Sequence, residues 1–239
     1  MKKKNFLALL AQAGFALAAA LLISIGLASC SKDKNKVEED VIDIVTTTAI
    51  GGEIVLRVGK GEESLIVVYG ADKVNKPVAV EGEWLKITYK LTKQSLSVKG
   101  KFTAFNCSFC SLTSLDVSKH KNLKNLVCSS NSALATLDVS NNKQLIHLDC
   151  SACKLSKLDL SKNPKLKHLN CFSNDGLSGE NALEMPNVKS IGGGTLYFKS
   201  NFETKRKLSK TKVKTLKEDL GWEVFFYKDD SWQAYDGED

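Results

Sequence analysis

The sequence has 239 residues, 43% of them hydrophobic, which is enough for one or two domains with their own cores. The net charge of +7 comes mainly from lysine, and the only dense basic block lies in residues 205–217. This charge distribution is too weak to predict a nucleic-acid partner. With three histidines and no H-E-x-x-H, G-x-S-x-G or Walker motif, the sequence predicts neither an enzyme nor a bound cofactor.

Residues 1–29 have the pattern of an export signal. Lysines at positions 2–4 precede an apolar run from Phe6 to Ala28, and the chain turns polar after Cys30, as in secretory signals. The segment L-A-S-C that ends at Cys30 resembles the bacterial lipobox, in which the cysteine carries the lipid and becomes the first mature residue. An uncleaved anchor is the alternative, because the run could span a bilayer of ~30 Å. Both interpretations place the rest of the chain outside the cytoplasm.

Residues 30–47 are predicted to form a flexible tether, because this segment is charged and poor in aromatic residues. Residues 48–101 follow as a β-rich cap domain. Segments rich in Val, Ile and aromatic residues, separated by Gly and charged turns, predict its strands. These segments are residues 52–58, 64–70, 76–80, 84–90 and 94–100.

The centre of the chain is an internal repeat. The pattern L/F-x-x-L/F-x-C begins at Phe102, Leu123, Leu145 and Leu166, so successive starts differ by 21, 22 and 21 residues. A second pattern, L-x-x-L-D-V/L-S, begins at residues 112, 134 and 155. Each alternating segment predicts a short strand with one inward face. One coil cannot bury its leucines alone, so the coils are predicted to stack into a solenoid with a continuous core.

Each turn of the repeat has a position that favours asparagine. Three residues past the last inward residue of a strand stand Asn131, Asn142, Asn163 and Asn174. An amide side chain at this position can satisfy backbone groups of the turn, and the need recurs in every coil. Cys110, Cys153 and His120 stand where asparagine is expected.

The repeat resembles the leucine-rich repeat family, whose signature is L-x-x-L-x-L-x-x-N/C-x-L. More narrowly, it resembles an irregular class of about 21 residues per repeat, found in bacterial surface lipoproteins, with nested L-x-x-L-x-C-x-x-N and L-x-x-L-D-L/V-S halves. The match covers residues 102–177. It implies a β-rich repeat solenoid, a short leucine-rich repeat array, whose open ends are hidden by an N-terminal β cap and a small C-terminal α/β cap.

Residues 178–239 are assigned to that C-terminal cap. A short helix is expected within residues 178–188 and a strand at 195–200. Leu208, Val213, Leu216 and Leu220 mark one side of a helix that ends before Gly221. A last strand at 223–228 and a frayed acidic tail complete the prediction.

Two C-x-x-C pairs, Cys107–Cys110 and Cys150–Cys153, raise the question of a four-thiolate zinc site or a redox centre. In the repeat interpretation the pairs lie two coils apart, nearly 10 Å at a strand spacing of ~4.8 Å. A zinc tetrahedron needs its sulfurs within about 4 Å of each other. The pattern therefore favours buried thiols that behave as small hydrophobes, and no metal site is predicted. An oxidising compartment leaves disulfide formation open.

A second set of acidic residues recurs in the L-x-x-L-D-V/L-S halves. Asp116, Asp138 and Asp159 should form an outward row, and like charges on adjacent strands destabilise a sheet. We expect the flanking serines to donate hydrogen bonds to these carboxylates. Neutralisation by a calcium ion is the alternative.

The outward residues of the other strands form the candidate binding surface. They are Asn125, Val127, His147, Asp149, His168, Asn170 and Phe172. We expect His147 and His168 to lie side by side with an exposed Phe172 nearby, an arrangement typical of a partner-contact surface. A metal held by the two imidazoles and an ordinary solvated surface are the alternatives.

The resemblance and the architecture together predict a lipid-anchored, exported repeat protein that binds an unknown protein at the cell envelope or surface, as in adhesion or host contact. Ser31 after Cys30 resembles signals that release lipoproteins to the outer membrane, so we expect the lipid to hold the protein there. Two alternatives stay open, a carbohydrate-binding accessory lipoprotein and a structural envelope protein without a specific ligand.

Overall fold

The computed structural model describes residues 40–59, 66–80, 84–178, 181–200 and 207–238, which are mostly β structure. The N-terminal strands are β1 (Val41–Thr46), β2 (Glu53–Gly59), β3 (Val67–Tyr69), β4 (Ala71–Lys73), β5 (Val78–Val80), β6 (Trp84–Leu91) and β7 (Ser95–Lys99). The central strands are β8 (Ala104–Asn106), β9 (Leu112–Asp116), β10 (Asn125–Val127), β11 (His147–Asp149), β12 (Leu158–Asp159), β13 (His168–Asn170) and β14 (Leu183–Glu184). The C-terminal elements are a 3-10 turn (Lys189–Ile191), β15 (Gly194–Ser200), helix α1 (Lys210–Lys214), a π-helical turn (Thr215–Asp219), β16 (Trp222–Lys228) and β17 (Ser231–Ala234).

The cysteine-containing halves of the repeat stack as parallel strands. β8, β10, β11 and β13 pair in this order and in register, so Phe105, Leu126, Leu148 and Leu169 face one another across neighbouring strands. All four side chains are buried. The core they form is continuous with that of the strands before and after the repeat, from Ile42 to Tyr235. The predicted β-rich repeat architecture is therefore confirmed, with one coil for each period of the sequence.

The second halves of the coils are less regular. β9 pairs with β1 from the N-terminal part rather than with the next coil, and β12 pairs in parallel with β14. Residues 134–138, between them in the stack, form no strand. The strand ladder of the repeat is thus confined to one side of each coil.

The asparagine position of each turn connects its coil to the preceding layer. Asn131 and Asn174 donate from Nδ2 to the carbonyl oxygens of Cys107 and Cys150, at 3.0 and 2.8 Å. The two cysteines at the same position do likewise: the Sγ of Cys110 lies 3.4 Å from Val55 O, and that of Cys153 lies 3.3 Å from Cys128 O. At the other turn, Asn142 and Asn163 donate to Val117 O and Val139 O, both at 2.9 Å. The predicted role of the turn amides is confirmed.

The residue before this position is left-handed in every coil. Phe109, Ser130, Ala152 and Ser173 have φ values of 58°, 58°, 51° and 54°. The left-handed conformation is disfavoured for residues with a side chain, and here the buried residue that follows it in each coil fixes the turn. Phe109 is 79% exposed, so its ring points away from the stack.

The N-terminal part extends the repeat sheet and corrects the tether prediction. β2 pairs antiparallel with β8 and with β6, and β4 and β5 pair with β6. Residues 41–46, predicted as tether, form β1 between β7 and β9, because Ile42 and Ile44 alternate into the core. The tether prediction rested on the composition of residues 30–47, in which the charged residues before Val41 outweigh the two isoleucines. Residues 40 and 47 of the predicted tether belong to no helix or strand, while residues 30–39 and the signal segment lie outside the described residues.

The C-terminal part continues the parallel stack. β15 pairs with β13, and β16 pairs with β15, both in parallel, and β17 returns antiparallel to β16. The helix expected within 178–188 is wrong, because residues 183–184 form β14 instead, while 179–180 lie outside the described residues. The helix before Gly221 is present as α1 and the π-helical turn, and Gly221 has a φ of 82°. Among the described residues no helix is long and apolar enough to cross a membrane.

The acidic tail is ordered rather than frayed, because Glu238 is bound on three sides. It accepts hydrogen bonds from the ammonium of Lys199, from that of Lys207 at 2.9 Å and from the Tyr235 hydroxyl at 3.2 Å. The Lys199 ammonium also lies 5.0 Å from the centre of the Tyr235 ring. The hydrogen bonds from Lys199 and Lys207 hold the pKa of Glu238 at about 2.

Replacing Asn131 should destabilise the stack. Its Oδ1 accepts from the N–H groups of Cys110 and Leu112, and its Nδ2 donates to Cys107 O and Cys128 O. Asn131→Ala leaves these buried groups unpaired at about 1–3 kcal/mol each, so we expect the free energy of unfolding to fall by about 3 kcal/mol or more. Urea denaturation measures it, with the exposed Asn141→Ala as control. Equal midpoints for the two variants would contradict the prediction.

Removing the charge of Glu238 should make stability less sensitive to acid. Because the folded pKa of about 2 is below the ordinary 4.5, the stabilisation is complete above pH 4.5 and is lost as the pH falls toward 2. Glu238→Gln should therefore cost about 1.5 kcal/mol at pH 7, the lower end for a hydrogen bond to a charged group, and almost nothing at pH 2. Thermal unfolding of both proteins across this range tests it. A constant difference at all pH values would refute it.

Candidate binding face

The outward side chains of the parallel strands form one surface, the strand face. Strand alternation turns the central residue of each strand inward and its two neighbours outward. Register then aligns Asn125, His147 and His168 in one row, and Val127, Asp149 and Asn170 in the next. The structure thus brings these six sequence-predicted residues together. Both histidines are exposed, and the other four are half-buried.

The two histidines stack on each other. Their ring centroids are 4.5 Å apart with an interplanar angle of 9°, and His147 Nδ1 lies 2.9 Å from Asn125 Oδ1. Burial, and secondly the charge on His168, lower the pKa of His147. Face-to-face rings direct their nitrogens side by side rather than toward a common point, so joint metal binding would require one ring to turn. In the part of the chain that the structure describes, no group of three or more His, Cys, Asp or Glu residues is placed to hold a metal ion.

Asp149 and Asn170 form the polar centre of the strand face. Asp149 Oδ1 accepts from the N–H and the hydroxyl of Ser151 at 3.0 and 2.6 Å, and Oδ2 accepts from Asn170 Nδ2 at 3.3 Å. The Oδ1 atom of Asn170 is buried and has no donor among the described residues. Because this oxygen is shielded from solvent, it is an unsatisfied acceptor inside the fold, and a partner would reach it only if the side chain moved.

Phe172 belongs to an aromatic cluster and is half-buried, which corrects its prediction as an exposed residue. The aromatic cluster consists of Phe172, Tyr197, Phe225, Tyr227 and Trp232. Trp232 lies at its centre, 4.6 Å from Tyr197, 5.3 Å from Tyr227 and 5.6 Å from Phe172 between ring centroids. Tyr197 is also 5.8 Å from Phe225. Trp232 is 36% exposed, so the cluster remains accessible at the end of the strand face.

The sequence prediction missed the other four rings of the cluster. Tyr197 continues the row of Asp149 and Asn170, because β15 pairs in register with β13. The alternation in TLYF could have indicated this position. Trp232 comes from β17, whose antiparallel return over β16 leaves no periodic signal in the sequence.

A shallow pocket of about 340 Å³ adjoins the histidine end of the strand face. Lys167, His168 and Glu223 line it together with the glycines of residues 192–194. Only glycine fits at position 194, because the Cβ of any other residue would lie 2.7 Å from the Trp222 ring. Fold packing therefore accounts for that glycine, while the charged side chains give the pocket its polarity.

The row of Asp116, Asp138 and Asp159 lies in a separate groove of about 590 Å³. Each carboxylate accepts a hydrogen bond at 2.9 Å from the N–H of the serine two residues later, as predicted. The Ser161 hydroxyl and N–H hold the pKa of Asp159 below its usual value. The aspartates therefore act as turn-forming residues.

The six described cysteines are buried thiols, with no disulfide among them. Cys107, Cys128, Cys150 and Cys171 are fully buried rungs of the core. Burial raises the pKa of the Cys107 thiol well above its usual value and that of Cys110 to about 11. Such thiols are poor nucleophiles, which agrees with a packing role. Cys30, the predicted lipidation site, lies outside the described residues.

The two positions of the Cys150–Cys153 pair should respond differently to asparagine. Cys153→Asn restores the turn amide that Asn174 provides in the next coil, so we expect stability equal to or greater than that of the original protein. Cys150→Asn buries an amide at a core rung, where an unpaired amide costs about 1–3 kcal/mol. Urea denaturation compares the two variants. Equal losses would contradict the assignment of Cys153 to the turn position.

No protein-family model and no curated protein matches this chain. Among solved structures, it is similar to the functional domain of InlJ from Listeria monocytogenes, described as including a cysteine ladder, with 26% sequence identity and a TM-score of 0.30. The match covers 41% of this chain and 26% of that chain. The chain thus spans about a quarter of the length of the solved protein it matches.

Proposed function

We propose that this chain is an exported, lipid-anchored leucine-rich repeat protein that binds a protein partner through its strand face. The observation that carries the proposal is the aromatic cluster, which remains accessible beside a row of polar side chains on one continuous sheet. Aromatic residues surrounded by polar groups dominate the binding energy of many protein interfaces. Tyr and Trp also supply contact area at a low cost in side-chain entropy.

The size of the strand face supports a protein partner. Six parallel strands, β8, β10, β11, β13, β15 and β16, contribute to it, and at a strand spacing of ~4.8 Å they span roughly 24 Å. A stable interface uses about 800 Å² on each partner, a patch nearly 30 Å across. The strand face and its flanking turns together match that size.

The chemistry of the face favours binding over catalysis. His147 and His168 are stacked on each other, and the thiols of the repeat are buried. A nucleophile activated by a histidine would need an accessible thiol or hydroxyl within hydrogen-bond reach of the ring. The proposal therefore assigns the protein no enzymatic activity.

A carbohydrate ligand is the second candidate. The exposed polar side chains of the strand face and the accessible Trp232 would suit sugar hydroxyls and a sugar ring. However, the ring of Trp232 is tilted by 56–65° against Phe172, Tyr197 and Tyr227. The cluster therefore offers ring edges more than a flat stacking platform, which favours a protein side chain. A structural envelope role without a ligand is the remaining alternative.

The lipid anchor is proposed from the sequence around Cys30. Residues 31–40 separate that cysteine from β1, and ten extended residues reach at most about 36 Å. A protein anchored this way stays close to the membrane, and we propose that this membrane is the outer membrane of the cell envelope. Fatty-acid labelling of the original protein but not of Cys30→Ala, with protease treatment of intact cells, tests anchoring and exposure together.

Trp232→Ala should weaken partner binding at least 10-fold, because central aromatic residues of interfaces often contribute about 2 kcal/mol or more. Cross-linking on intact cells identifies the partner, and titration with that purified partner measures the affinity. Phe109→Ala is the matched control, since Phe109 is exposed outside the strand face. A glycan-array signal lost in Trp232→Ala would favour the carbohydrate ligand. Equal binding by both variants would refute the strand-face proposal.

A further inference from the structure

The turns that enter the parallel strands gather lysines along one edge of the stack. These turns are residues 117–124, 139–146 and 160–167, and they contain no Asp or Glu. Their lysines form the lysine edge: Lys119, Lys121, Lys124, Lys143, Lys162, Lys165 and Lys167. All seven are exposed. The lysines are scattered in the sequence, which is why no basic block is visible there.

Backbone hydrogen bonds hold these turns directly above one another. The N–H of Lys124 donates to Thr103 O, that of Ile146 to Lys124 O and that of Lys167 to Ile146 O, at 2.7, 2.7 and 2.8 Å. Lys124 and Lys167 are therefore two layers apart, ~10 Å at the spacing of hydrogen-bonded strands. The lysine edge is therefore a set of exposed lysines at stacked backbone positions along the coils.

Most lysines of this edge make no ion pair with another described residue, although Lys162 lies close enough to Asp159 to contribute to the lowered pKa of that carboxyl. Lys119 lies 3.2 Å from Asp43, and Lys165 donates to the neutral Gln144 at 2.5 Å. Within the described residues, Lys124, Lys143, Lys162, Lys165 and Lys167 make no ion pair. The opposite turns, residues 107–112, 128–134, 150–155 and 171–177, carry only Lys154 and Asp175. Positive charge is thus concentrated on one edge of the solenoid.

Hydroxyl-binding side chains lie directly beside the lysine edge. Asn125, His147 and His168 each follow its turns by one residue and face outward in a row, and Thr195 continues the row on β15. The pocket lined by Lys167, His168 and Glu223 lies at the end of this row. The edge therefore combines a line of cations with a parallel line of hydrogen-bonding side chains.

We infer that the lysine edge binds a linear acidic polysaccharide, one that carries carboxylate or sulfate groups. Such a chain presents repeated anions to the lysines and hydroxyl groups to the row of Asn125, His147 and His168. A bilayer surface presents anions but lacks a matching line of hydroxyls. Single-stranded nucleic acid requires aromatic platforms beside its cations, whereas the rings of the aromatic cluster pack against one another. The inference goes beyond the proposed protein interface, since it adds the lysine edge and a different partner and shares with the strand face only the row of Asn125, His147 and His168.

The test compares two variants of equal charge. Lys124→Gln, Lys143→Gln and Lys167→Gln are combined in the edge variant, and Lys90→Gln, Lys93→Gln and Lys154→Gln in the control. All six lysines are exposed, so both variants should fold. Affinity is measured for polygalacturonate and heparin at several salt concentrations, with neutral dextran as the uncharged probe.

We expect the edge variant to bind the acidic polysaccharides at least 10-fold more weakly and with a flatter salt dependence. Each lysine that neutralises an anionic group of a polyanion releases counterions, so fewer lysines make the affinity less sensitive to salt. The control should change less than twofold, and Trp232→Ala should retain full binding, which separates this inference from the protein interface. Equal losses in edge and control variants would overturn it. Equally tight binding of anionic vesicles or of a single-stranded oligonucleotide, lost in the same edge variant, would overturn the assignment to polysaccharide.

Discussion

The structure depends on one repeated hydrogen bond, from the last residue of each C-x-x-C/N turn to a backbone carbonyl of the layer before it. Asn131, Cys153 and Asn174 make this bond within the repeat, and Cys110 makes it to β2. A buried carbonyl without a donor costs about 1–3 kcal/mol, so the residue at this position must be a donor that fits inside the turn. Asparagine and cysteine both meet that requirement. The bond fixes the distance between layers and, with it, the register of the strands.

Register in turn determines the chemistry of the surface. Once Leu126, Leu148 and Leu169 are aligned in the core, their neighbours must form outward rows, and the turns before them must stack. The histidine pair, the Asp149–Asn170 hydrogen bond and the lysine edge all follow from this single alignment. Trp232 is the exception, because it reaches the strand face through the antiparallel return of β17. The two proposed binding surfaces are therefore products of core packing, although neither contributes to the core.

Periodicity made the repeat and its outward rows predictable from the sequence. The six aligned residues from Asn125 to Asn170 could be assigned to one face because their spacing follows that of the buried leucines. Ile42 and Ile44 could not be assigned to a strand, since their partners in β7 and β9 are distant in sequence and the charged residues before them obscured the alternation. The prediction that Phe172 is exposed was wrong for a related reason. The Trp232 ring that covers it comes from the β16–β17 hairpin, which lies outside the repeat. Contacts between the repeat and the segments before and after it have no period, so the sequence pattern could not predict them.

The left-handed residue of each turn and the bond that follows it make every layer present the same connection to the next one. N-terminal sheet, coils and C-terminal strands share a single core, but β1 pairs specifically with β9 and β14 with β12. A coil added in the middle of the repeat would therefore meet the same connection on both sides and leave these end contacts in place. Each insertion lengthens both the strand face and the lysine edge by ~4.8 Å. The length of both surfaces thus depends on coil number, a quantity that gene duplication changes in single steps.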